Sequence, residues 1–273
     1  MLANPDQQDR AAVHQAFVKV LRSIGVTKRH CGPLEDALTR FLKVTRSYRS
    51  GLGYSSWFHQ FCQERAVAQE CAEEAIAIST KQGLALWLAW GTVTRGWALA
   101  TQGQAEAGIA QIRQELAAAQ ATGTGLFRTH QLTQLADAYD AMGQPAAGLA
   151  VLDEALALVE ETGERFWEAE IYPLQGELLL KAEGAGLYRC VTEGMQDAES
   201  PEGCFLTAIE IARRQEGKSL ELRATVSLAR LWQQQGKEDE ARHMLADIYG
   251  FFTEGFDTID LGQANALLQE LSA

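Results

Sequence analysis

The chain has 273 residues, 47% of them apolar and 22% charged, which supplies a large core and argues against a disordered chain. Thirty-six acidic against 24 basic residues leave a net charge of −12, which repels polyphosphate and removes the electrostatic term on which non-specific nucleic-acid affinity rests. No run approaches the length of a membrane span, and the N-terminus has no basic stretch leading into an apolar one, so neither a membrane anchor nor a secretory leader is expected and the expected compartment is the cytoplasm.

In chain order, residues 1–55 form a first segment of uncertain role. Residues Pro33 to Ser47 are amphipathic, with Leu34, Ala37, Leu38, Phe41, Leu42 and Thr45 at helical spacing, and Lys28, Arg29, Arg40, Lys43, Arg46 and Arg49 make residues 19–50 locally basic. From residue 56 to 273 the glycines keep a period. Gly83, Gly123 and Gly163 stand 40 residues apart, and Gly103 and Gly143 repeat the interval half a period out of phase. Each closes an amphipathic run, where a left-handed residue ends a helix without a Cβ penalty. Two helices of roughly 18 residues, about 27 Å each, therefore make one repeat. Leu149, Leu152, Leu156 and Val159 illustrate the buried stripe. Phe166 to Lys181 and Pro201 to Gly217 make the next pair, separated by an inserted loop at 183–200 with a short helix expected at Leu187 to Thr192. Ser219 to Gln235 and Lys237 to Glu254 follow, divided by Gly236, and 257–271 reads as a capping helix over the open end of the core.

Small residues mark where helices cross. Ala136, Tyr139, Gly143, Gly148, Leu152 and Ala155 fall in the tetratricopeptide pattern of small, aromatic, glycine, small, large and small. Ala229, Trp232, Gly236, Ala241 and Leu245 repeat it, and Gly176, Leu179, Phe205 and Ala208 do so around the insertion, with Pro201 starting a helix in one small-residue slot. Gly96, Leu99, Gly103, Gly108 and Ile112 give a degenerate copy that breaks at Glu115. The expected fold is all-α, a right-handed α-solenoid of tetratricopeptide-like hairpins whose 40-residue period exceeds the usual ~34.

In such a stack the first helix of each hairpin lines the concave side. The outward positions are expected at Trp90, Val93 and Trp97; at His130, Thr133, Asp137 and Asp140; at Glu170 and Glu177; and at Arg223, Arg230, Gln233 and Gln234, a groove running from aromatic through acidic to basic. A protein or peptide segment with an apolar end and a cationic middle complements that order. The alternative is that the carboxylates are a solvated face and the tryptophans are core. Tyr172-Pro173 inside a helix predicts a kink or local bulge. Glu168, Glu170 and Glu177 share one helix, where they solubilise it more readily than they act as an acid–base pair. The cysteines, Cys31, Cys62, Cys71, Cys190 and Cys204, are scattered with no C-x-x-C, and the histidines lie far apart, so no metal and no cofactor are expected. A second reading is a small-molecule sensor with an apolar pocket beside Trp90, Trp97 and Trp167.

Four segments, 86–100, 163–179, 219–232 and 248–261, resemble in order the C-terminal tetratricopeptide region of bacterial multidomain signalling proteins that join a class III adenylate or guanylate cyclase, or a protein kinase, to a predicted regulatory ATPase. The resemblance spans about Trp57 to Leu271 and leaves residues 1–55 outside it. It implies a sensor or interaction region in signal transduction, with a cyclase, kinase or ATPase as partner. The chain has no G-x-x-x-x-G-K-[ST] phosphate loop and no recognisable pair of cyclase metal-binding aspartates, so no catalytic module is expected within it. Homodimerisation stays open at this level.

Overall fold

The computed structural model describes residues 56–57, 59–122, 127–163, 165–184 and 200–272. Residues 1–55, with the amphipathic stretch at 33–47, lie outside the described residues, as does the expected short helix at 187–192. The described chain is helical throughout, with no residue in a strand. It divides into two compact units, 1–124 and 125–273.

The described part of unit 1 holds α1 (Arg65–Gln82), α2 (Ala85–Thr101) and α3 (Ala105–Thr122), packed in sequence order. Unit 2 holds α4 (Arg128–Ala141), α5 (Pro145–Thr162), α6 (Glu168–Gly184), α7 (Pro201–Arg214), α8 (Lys218–Gln234), α9 (Glu238–Tyr249) and α10 (Ile259–Glu270). Among the described residues no helix is long and apolar enough to cross a membrane.

Local chemistry sets the helix ends. Gly83 and Gly163 close α1 and α5 at φ +66° and +72°, a conformation that a Cβ disfavours. Gly103, Gly143 and Gly236 hold positive φ in the turns inside the hairpins. Pro201 is the first residue of α7, and Ser200 caps it by accepting from the Gly203 N–H at 3.0 Å. α6 runs unbroken through Pro173.

Within hairpins the helices cross at small residues. A Cβ on Gly108 would lie 2.2 Å from the Gly96 carbonyl oxygen, so α2 and α3 meet backbone to backbone. In unit 2 a Cβ on Gly148 of α5 would lie 3.2 Å from the Ala136 carbonyl oxygen of α4, its hairpin partner, and 2.8 Å from Leu178 Cδ1 on α6 of the next hairpin, and one on Gly176 would meet Phe205 Cε1 at 2.7 Å. The positions that the tetratricopeptide pattern assigns to the core are buried, among them Ala136, Tyr139, Leu152, Ala155, Phe205, Ala208, Ala229 and Leu245. Unit 2 is a stack of tetratricopeptide-like hairpins, α4–α5, α6–α7 and α8–α9, with α10 packed on α8 and α9.

The first helices of unit 2 also pack side by side, α4 on α6, α6 on α8 and α8 on α10, with no comparable packing of α5 on α7 or α7 on α9. The first-helix layer is therefore the tighter, inner one. α10 turns Leu261, Ala264 and Leu267 into the core, joined by Leu271 just after it, and leaves Gln263, Asn265, Gln269 and Glu270 exposed on a polar outer face.

Gly108→Ala is expected to destabilise unit 1 by about 3 kcal/mol, because the obstructing atoms are backbone and cannot rotate away. Gly262→Ala, inside α10 with nothing within 4 Å of the added methyl, is expected to stabilise by about 0.5–1 kcal/mol. Urea unfolding of the two variants beside the parent chain checks both signs.

Candidate functional site

The first helices of unit 2 bring one row of side chains from each helix to the inner layer. Spacing of three and four residues aligns Thr133, Asp137 and Asp140 on α4, Glu170, Glu177 and Lys181 on α6, and Arg223, Ser227, Arg230 and Gln234 on α8. Asp260 enters from the first turn of α10.

These groups pair with one another across helices. The Arg223 guanidinium donates from Nε to both Asp260 oxygens at 3.0 Å and from Nη1 to Glu170 Oε1 at 3.1 Å. All three side chains are largely sheltered, at 15%, 16% and 25% exposure, so the tie spans α6, α8 and α10 out of bulk water. The Ser227 hydroxyl donates to Glu177 Oε1 at 2.8 Å. Lys181 Nζ donates to Asp140 Oδ1 at 2.7 Å, joining α6 to α4. Five carboxylates, Asp137, Asp140, Glu170, Glu177 and Asp260, thus share one face with Arg223 and Lys181. Burial pushes the Glu170 and Glu177 carboxyls above the usual carboxylate range, against the pull of Arg223 on the first and of the Ser227 hydrogen bond and Lys181 on the second; Asp137 raises both.

Sequence spacing identifies Asp137, Asp140, Glu170, Glu177 and Arg223 as neighbours in this row, but not that Arg223 is held between two carboxylates, which removes it as a free basic end of the groove. Arg230 and Gln234 lie exposed further along α8. Gln233 is partly buried, beside rather than on this stripe. Lys181, Ser227 and Asp260 are missing from the sequence reading. The first two stand four residues after Glu177 and Arg223, and extending the row by one turn finds them. Asp260 requires treating the capping helix as one more first helix.

Four expected groove residues are instead core. Trp90, Val93 and Trp97 are buried in unit 1, where Trp90 stacks on Trp87 at 5.5 Å and on Trp57 at 6.0 Å. α2 meets α1 at Gly91 and α3 at Gly96, which encloses both flanks and leaves Leu88, Thr92, Arg95 and Leu99 as its partly exposed stripe. His130 is buried in unit 2, stacked on Trp167 with ring centroids 4.2 Å apart and a Gln134 amide nitrogen 3.4 Å from its Nε2. Trp167 is itself buried, at the start of α6. Glu168, also buried, takes Arg165 at 2.7 Å and stands apart from the carboxylate row.

Burial pushes the His130 imidazole down to about 3. The unfolded chain takes up that proton near pH 6.5 and the folded chain does not, so the stability tied to neutral His130 is intact above pH 6.5 and is lost as pH falls toward 3. Between pH 7 and pH 4.5 the parent chain is expected to lose roughly 2 kcal/mol more than His130→Gln, which urea unfolding at the two pH values measures.

No protein-family model matches this chain, and none of the curated proteins matches it. Among solved structures, the nearly identical TPR-like repeats of a kinesin light chain-like protein from Podosopora anserina align over 74% of this chain and 93% of theirs, at 18% identity and a TM-score of 0.45. The apo form of RapI aligns over 94% of this chain and 97% of its own, at 10% identity and a TM-score of 0.49.

Proposed function

We propose that this chain is a non-catalytic protein-interaction scaffold that receives a cation-bearing peptide segment on the first-helix face of unit 2. The observation that carries this reading is the carboxylate row: Asp137, Asp140, Glu170, Glu177 and Asp260 converge from three helices on one face, with Arg223 and Lys181 set among them. Half-buried carboxylates with raised proton affinity oppose stability at neutral pH, and such groups gather where a site demands them. An arginine or lysine side chain entering the row gains charge-assisted hydrogen bonds in a partly desolvated setting.

The four segments that resemble cyclase- and kinase-linked tetratricopeptide regions support signalling as the process, with a cyclase, kinase or ATPase as the partner. Burial of Trp90, Trp97 and Trp167 weighs against the sensor reading, since the rings that were to line its pocket fill helix–helix contacts.

Fluorescence anisotropy with labelled peptides of equal length tests the scaffold reading. An Arg/Leu peptide is expected to bind, an Asp/Leu peptide is not, and binding falls steeply between 50 and roughly 300 mM salt as exposed charges are screened. Asp137→Asn combined with Asp140→Asn is expected to weaken binding at least tenfold with the melting temperature held within a few degrees. Equal binding of both peptides, or no effect of the double variant, overturns the reading.

A further inference from the structure

We draw no further inference here: the strongest candidate, the exposed apolar patch of Phe251, Phe256 and Ile259 where α9 leads into α10, carries none because nothing in the structure shows what covers it.

Discussion

The structure depends on the close backbone crossing of paired helices. Where Gly96 meets Gly108, the approach leaves no space for even one methyl group on either helix. Gly148 beside Leu178 and Gly176 beside Phe205 show the same requirement met by a glycine opposite a large side chain. Interior packing at this density gains dispersion over many small contacts and tolerates little change in volume. The crossings fix the rotation of each helix about its own axis, and that rotation decides which row of side chains enters the core and which row reaches the inner layer.

The inner layer of unit 2 inherits a conflict. First helices pack on one another, so whatever their rows carry is brought together and partly withdrawn from water. Apolar rows would make a further core. Here the rows carry carboxylates, with Arg223 shared by Glu170 and Asp260, and Lys181 held by Asp140. A sheltered ion pair must offset the desolvation of both partners, so such a network is weak evidence of net stabilisation.

The two histidine and tryptophan environments show how far a residue's type is from its role. Trp90 and Trp97 are the features of the sequence that look most like a ligand-binding wall, yet in unit 1 both are buried, two turns apart on one stripe of α2. His130, set three residues before Thr133 and seven before Asp137, shares their helical face but lies against the Trp167 ring and not against solvent. A single stripe on one helix thus changes from core to partly exposed within three turns: the Trp167 ring lies over its beginning, and the Lys181 side chain of α6 meets its end.

By itself the sequence determined the helical hairpins, their two-helix period, the turns at Gly83, Gly103, Gly143, Gly163 and Gly236, the start of α7 at Pro201 and the amphipathic helix at 259–270. These follow from local rules: glycine relieves a left-handed turn, proline suits the first turn of a helix, and a 3.6-residue stripe shows which face is buried. It also placed Asp137, Asp140, Glu170, Glu177 and Arg223 on neighbouring rows. Only the tertiary structure decided that Arg223 is shared between Glu170 and Asp260, that Lys181 and Ser227 complete the row, and that Trp90, Trp97 and His130 are buried. The reason is that a helical pattern gives the angle of a side chain about its own axis, whereas pairing and burial depend on how far the next helix, 40 to 50 residues away in sequence, reaches along that axis.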